Sequence, residues 1–539
     1  MKQSKKNIAG NIVDIPSRKI IQGSIEVENG VIVAVNQHST TEKGYIIPVF
    51  VDAHMHIESS MLTPQNFGEL VIRSGTLSVV TDPHEIANVM GVNGVEFMLS
   101  NSKKSPIKTF FTIPSCVPAT PFDVSGGILT ADDVENLAST GHFVGLSEMM
   151  NVPGVLLKDD EVMAKLASAK KYGLPVDGHA PLLRGDELAV YANSGISTDH
   201  ECVSAEEAQE KIQLGMKILL REGSAARNYE ALKSLIKTNP NDVMFCTDDS
   251  HPDEIISVGH ISKLVVRAIA DKFDLFDVLK IASINPINHY KLDMGQLRVG
   301  DKADFLVVED LEAFNVAQVY VDGVEKLATA ETEPLVIEGM NNFDHSGIEV
   351  SSLRKAVLGS IETILLIKGE LITTVGSYSP KQATENLESD PNEDLMKIVY
   401  INRYHNAAPQ VAFCQGFNLK KGAVASSISH DSHNIIAVGC SDKELARAIN
   451  AVIAQKGGLS ACIDERTEIL PLPVGGIISD RKGHEVAASY IDLCEMTHQM
   501  GCDIDSPFMT LAFLSLVVIP EIKIGEKGLF SYSLFDWMK

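Results

Sequence analysis

Ile46-Ile47-Pro48-Val49-Phe50-Val51-Asp52-Ala53-His54-Met55-His56 is the stretch whose reading decides the fold. An apolar run ends in two histidines one residue apart. In an extended segment, residues two apart face the same side, so both imidazoles can leave the end of a strand together and reach one ion. Upstream, residues 7–45 alternate short apolar runs with turn residues, and Asn29-Gly30 between Ile25–Val27 and Val31–Val35 predicts a hairpin. Downstream, short apolar runs alternate with helical stretches. The eight runs are Ile46–Ala53, Leu77–Thr81, Thr109–Ile113, Phe143–Ser147, Leu174–Asp177, Ile196–Thr198, Lys217–Leu220 and Val243–Cys246. Most gaps leave room for one helix, which predicts an α/β fold built on a (β/α)8 TIM-like barrel; a doubly wound open sheet is the alternative.

After the eighth unit, Gly295–Val308 and Val319–Gly323 return to strand-like patterning. Pairing of these segments with the N-terminal strands would make a small flanking β domain from residues 1–45 and 291–340, around a barrel at 46–290. Residues 379–395 are an acidic loop carrying proline, and 341–539 read as a separate α+β domain. One helix there is well signalled. Ser441-x-x-Glu444 forms a capping box, Leu445, Ile449, Val452 and Ile453 share a face, and Gly457-Gly458 stops it.

The 539 residues carry 46 Lys+Arg against 71 Asp+Glu, a formal net charge of -25. Such an acidic chain predicts no nucleic-acid partner and no anionic membrane partner, since both need a basic face. The longest apolar run, Met509–Ile519, is broken by Ser515 and stopped by Pro520, short of the roughly 20 residues a bilayer requires. The basic N-terminus is followed by no apolar signal region. Eight scattered cysteines without a C-x-x-C pair predict reduced thiols in a cytoplasmic protein.

In a barrel, side chains at the C-terminal strand ends converge on one mouth. Strand one finishes with His54 and His56, strand four with Ser147-Glu148, and strand five with Asp177-Gly178-His179. Strand six ends in Asp199-His200-Glu201 and strand eight in Thr247-Asp248-Asp249. A lone histidine at a strand end is usually a hydrogen-bonded core or rim residue, and His-x-His alone is weak. The whole constellation at one edge is different. Imidazoles and carboxylates without thiolates suit Mn, Fe, Zn or Co.

Val51–His56 with the strand-end Glu, His, His and Asp resembles the amidohydrolase superfamily of metal-dependent hydrolases, and Gly300–Phe305 looks like that superfamily's tail. Three stretches resemble its adenine deaminase family: His56-Ile57-Glu58-Ser59-Ser60-Met61, Thr81–Val89 (TDPHEIANV) and Ser197–Cys202 (STDHEC). Ile428–Asn434 (ISHDSHN) resembles the same family's extra C-terminal domain. The resemblance implies hydrolytic deamination of adenine to hypoxanthine and ammonia, in purine salvage, with two divalent ions: Mn²⁺ or Fe²⁺, with Zn²⁺ or Co²⁺ as alternatives. His54 and His56 would hold the first ion, His179 and His200 the second, and Glu148 would bridge them. Glu148 stands where many superfamily members carry a carbamylated lysine. Asp248 would touch the first ion and move protons, with Asp249 as its rival. The resemblance also implies a homo-oligomer, a dimer or larger.

Other rim residues are open to two readings. Glu58, Ser59 and Ser60 could hydrogen-bond a purine edge or form the polar start of the next helix. Asp82, His84 and Glu85 could orient metal ligands, touch substrate or form a loop ion-pair cluster, and Glu201 sits beside a candidate ligand. His430 and His433 could close over the barrel mouth, supply a ligand, or belong to a polar turn. Two other functions remain as alternatives: a related amidohydrolase acting on a cyclic amide or another aminated heterocycle, and a metal-free scaffold barrel.

Overall fold

The computed structural model describes residues 5–327 and 339–538. The deciding stretch is not one strand but two. Tyr45–Pro48 (β4) and Phe50–Met55 (β5) belong to different sheets, with Pro48 at the handover, where proline removes a ladder donor. Strand β4 lies in a seven-stranded sheet with Lys5–Asp14 (β1), Lys19–Glu28 (β2), Val31–Gln37 (β3), Phe305–Val308 (β13), Val316–Val321 (β14) and Val324–Glu325 (β15). Residues Phe305 to Val308 pair antiparallel with Pro48 to Tyr45, so the post-barrel segment closes onto the N-terminal strands as expected. The β2–β3 hairpin turns at Asn29 (φ 52°) and Gly30 (φ 84°). Two consecutive left-handed residues make the tight turn that suits a right-twisted hairpin.

Strand β5 begins the barrel. It is followed by Thr76–Thr81 (β6), Lys108–Ile113 (β7), Phe143–Met149 (β8), Val176–Gly178 (β9), Thr198–Asp199 (β10), Lys217–Arg221 (β11) and Val243–Cys246 (β12). Strands β5–β9 form one parallel sheet and β10–β12 another. Parallel bridges Val176–Ile196 and Met55–Asp248 join them into a ring of eight. Every residue of β5, β6 and β12 is buried. Strands buried along their whole length fit a sheet covered on both faces.

Asp52 holds the seam between the first and last strands. Its carboxylate accepts the amides of His54 (3.2 Å) and Thr247 (3.1 Å) and the Thr247 hydroxyl (2.5 Å), and it lies 3.1 Å from His260 Nε2. Burial raises this carboxyl to about 7, against the lowering effect of those donors.

In the C-terminal region, an eight-stranded sheet runs from Thr373–Tyr378 at one edge to Arg466–Pro471 at the other. The expected helix is Asp442–Ala454. Ser441 Oγ accepts the Glu444 amide at 3.3 Å and contacts the Glu444 carboxylate at 2.8 Å, and all four predicted apolar residues are buried. Gly457, at φ 129°, follows its end. This region lies directly on the barrel's loops: Ser479 N–H donates to Met61 O (2.8 Å) and Asn66 Nδ2 to Arg481 O (2.6 Å). All eight cysteines are free thiols, and among the described residues no helix is long and apolar enough to cross a membrane.

Candidate metal centre

Glu148, at the end of β8, divides its two oxygens between two pairs of histidines. Oε1 lies 3.2 Å from His56 Nε2 and 3.9 Å from His54 Nε2; Oε2 lies 2.7 Å from His179 Nδ1 and 3.3 Å from His200 Nε2. The His54 and His200 rings stack at 4.2 Å across the junction of the pairs. Burial would raise the Glu148 carboxyl, but His179, His200 and His56 outweigh it and hold the group well below the usual carboxylate range.

The adjacent aspartates separate. Asp248 Oδ1 lies 3.2 Å from His56 Nε2 and 3.7 Å from His54 Nε2. Asp249 instead accepts the Ser59 hydroxyl. Asp248 takes a left-handed conformation (φ 59°), and its amide donates to His54 O at 3.0 Å as the barrel closes. The turn therefore aims one carboxylate at the imidazoles and the next at the rim.

Arg221 is the residue that the sequence reading missed. It ends β11, one position beyond the expected strand end. Its guanidinium grips both oxygens of Glu201 and donates to Asp248 Oδ2 at 2.5 Å. Glu201 also lies 3.3 Å from His200 Nε2 and 3.6 Å from His179 Nδ1. A strand-end arginine beside two carboxylates was the available signal, obscured because Glu201 is distant in sequence.

The other rim residues assort by contact. His56 Nδ1 lies 3.0 Å from Asp82 O, and His84 Nδ1 lies 2.7 Å from Asp82 Oδ2 and 3.6 Å from Glu148 Oε1. Glu58 Oε1 accepts the Ile86 amide at 3.3 Å, while its other oxygen is buried without a partner. Ser60 turns away, its hydroxyl donating to Ile57 O at 2.5 Å at the end of the short 3-10 turn Ile57–Ser60; the next helix, Pro64–Val71, is capped by Thr63 instead. Asp177 and Asp199 brace the barrel, the first through Thr198 and Tyr290 (both 2.8 Å) and the second through the Ala180 amide (3.0 Å).

The C-terminal loop 427–434 reaches this mouth. His430 Nδ1 lies 2.8 Å from Glu85 Oε1, and His433 Nε2 contacts Glu85 Oε2. A small cavity alongside is lined by Ser59, His251, His430, Tyr490 and apolar side chains including Phe508 and Met509. His251 and Tyr490, with rings 4.6 Å apart, were not singled out in the sequence.

The donor set fits divalent ions. His54, His56 and Asp248 offer atoms close enough to share one ion, as do His179, His200 and Glu201 and, separately, His54, Glu148 and His200. His54 Nε2 is buried among these groups without a hydrogen-bond partner. A buried imidazole nitrogen of this kind is costly unless it meets a proton or a cation.

A closed parallel barrel whose mouth gathers imidazoles and carboxylates defines a metal-binding hydrolase of the amidohydrolase type. The amidohydrolase family matches residues 45–326, and the adenine deaminase C-terminal domain matches residues 370–536. The adenine deaminase of Methanosarcina acetivorans is 47% identical over 99% of each chain, and that of Sulfurovum sp. is 47% identical over 98% of each. Among solved structures, a β-aspartyl dipeptidase from Fervidobacterium islandicum aligns at 16% identity over 62% of this chain and 100% of that one, with a TM-score of 0.48. The chain belongs to the amidohydrolase family and, within it, to the adenine deaminases.

Proposed function

We propose that the protein hydrolyses adenine at C6, releasing ammonia and hypoxanthine. The observation that carries this reading is the division of the Glu148 oxygens between two histidine pairs, in a chain that matches adenine deaminases over almost its whole length. His54, His56 and Asp248 would hold one divalent ion and His179 and His200 a second, with Glu148 between them; Mn²⁺ or Fe²⁺ is the assignment, and the donors also accept Zn²⁺ or Co²⁺. Such ions, when bound, acidify water so that hydroxide is available near neutral pH.

The remaining work falls to the chain. As water adds at C6 the C6=N1 π bond opens and N1 takes one of its protons; Asp248 takes the other and delivers it to the amine, which would otherwise be a poor leaving group, as the C6–N bond breaks and the C6 carbonyl forms. Arg221 holds Asp248 through Oδ2, leaving Oδ1 on the histidine side. Glu201, fixed by the same guanidinium, keeps the His179 and His200 edge in place. Glu58 Oε2 and Asp82 Oδ1 are buried without partners. We assign them to the polar edge of the purine, since a polar atom left unpaired in this way costs about 1–3 kcal/mol.

The test is an ultraviolet assay of Mn²⁺-loaded protein with adenine, following hypoxanthine and ammonia. Conversion is expected in the wild type and should vanish in His54→Ala and Glu148→Gln. At least two bound ions per chain without conversion would sink the adenine assignment and turn the search to cyclic amides and other aminated heterocycles. Light scattering on the same sample tests the proposed homo-oligomer, and fractionation of the native host tests the proposed cytoplasmic location.

A further inference from the structure

Glu85, His430 and His433 converge from opposite ends of the sequence. Glu85 follows β6 on the barrel rim; the histidines lie in the C-terminal loop, more than 340 residues away, as the 348-residue separation of the Glu85–His433 contact shows. Each oxygen of Glu85 faces one imidazole nitrogen, His430 Nδ1 at 2.8 Å and His433 Nε2 in closer contact. One donor atom from each residue lies within 4.8 Å of the others, and all three residues are buried. A carboxylate with both oxygens turned toward two imidazoles is a donor set that divalent transition ions accept.

Second, a further buried carboxyl group lies beside the cluster. Asp431 Oδ1 is 3.8 Å from His430 Nδ1, and Asp431 Oδ2 is buried with no partner. A buried carboxyl oxygen without a donor is costly, and a bound cation is one group that would satisfy it.

The loop is also braced. The His430 ring stacks on Phe513 at 4.5 Å, and its amide donates to Ala512 O at 3.1 Å. Asn434 Nδ2 donates to Val124 O and to the Tyr400 hydroxyl, both at 2.8 Å, and the His433 amide to Ser429 O at 2.7 Å. Ligands held by their own surroundings are what a preorganised ion site needs.

We propose that Glu85, His430 and His433 form a third cation site, taking a divalent transition metal that ties the C-terminal loop to the barrel rim. It is separate from the two-ion centre, and its ligands are not needed to explain the deamination step. It gives the C-terminal region a definite role, because the ion would join the two parts of the chain at the edge of the catalytic mouth.

The test is metal counting on full-length protein loaded with Mn²⁺ or Zn²⁺ and desalted, with anomalous diffraction from crystals of the same preparation. Three ions per chain are expected in the wild type, with an anomalous peak among Glu85, His430 and His433. Two are expected in Glu85→Gln and in the His430→Ala/His433→Ala variant. A wild type that saturates at two ions and shows no peak there overturns the proposal, as does a double variant that still binds three. If the variants do not fold, the wild-type anomalous map decides alone. Three ions without adenine turnover would remove the deaminase reading and leave this site standing.

Discussion

Replacing Arg221 by methionine removes the cation from the centre while keeping most of the side chain's length. In the folded protein the guanidinium binds both Glu201 oxygens and donates to Asp248 Oδ2, in surroundings that leave all three side chains no more than 15% exposed. Without it, Glu201 and Asp248 lose the side chain that grips both of them, and their outer oxygens are left buried without a donor. Breaking a buried ion pair from one side costs about 3–5 kcal/mol. If even about 3 kcal/mol of that appears in the transition state, through loss of Asp248 orientation, turnover falls by roughly two orders of magnitude, at about 1.4 kcal/mol per tenfold.

The pH dependence has a definite sign. Burial pushes Glu201 up, yet Arg221 and the imidazoles hold it far below the usual carboxylate range. A carboxylate depressed in the folded state adds stability above its unfolded value, near about pH 4.3, and loses it as pH falls through the folded value. Removing Arg221 raises the folded value, so acid unfolding should begin at higher pH. The assays are steady-state turnover and metal content near neutral pH, and thermal melting of the protein between about pH 2 and 8. Wild-type turnover together with an unmoved acid limb would refute the reasoning. Arg221→Lys should fall between, because an ammonium keeps the charge but loses the planar fork.

Ser441→Ala removes the cap of the Asp442–Ala454 helix and should cost about 1 kcal/mol, seen as a small drop in melting temperature with turnover unchanged. Lys523 is fully buried, burial pushes its ammonium down to about 7, and it donates to Leu371 O at 2.9 Å. The unfolded chain therefore binds the extra proton between about pH 7 and 10.5, and this group makes the fold gain stability as pH rises through that window. Lys523→Met should accordingly raise the melting temperature more at about pH 6 than at about pH 10; an equal shift at both would contradict the burial argument. Stripping the metals with a chelator should lower the melting temperature and abolish turnover, both recovering on addition of Mn²⁺, because the imidazoles and the Glu148 and Asp248 carboxylates would lose the ions they would hold.

Local patterns made much of the architecture legible. The alternation of buried runs with helices, and a side-chain period of two in strands, are properties of a few neighbouring residues. That is why eight barrel strands and the Asn29-Gly30 hairpin could be read directly. The first strand was read as one element because Ile46–Val51 is an unbroken apolar run, and pattern alone cannot show that β4 and β5 enter different sheets. Strand ends are the least defined points of such a reading, and Arg221 was lost there.

By itself, then, the sequence determined the barrel class and put the candidate histidines and carboxylates at strand ends, because strand-end position follows from short-range periodicity. The tertiary structure decided the rest of the geometry. Closure of the first strand against the last turned Asp248 toward the histidines and Asp249 toward Ser59. Packing of the C-terminal region carried His430 and His433 onto Glu85. These contacts join residues hundreds of positions apart and depend on how separate layers dock. No local pattern records that docking, since it is the buried surface and charge of the whole fold that make it favourable.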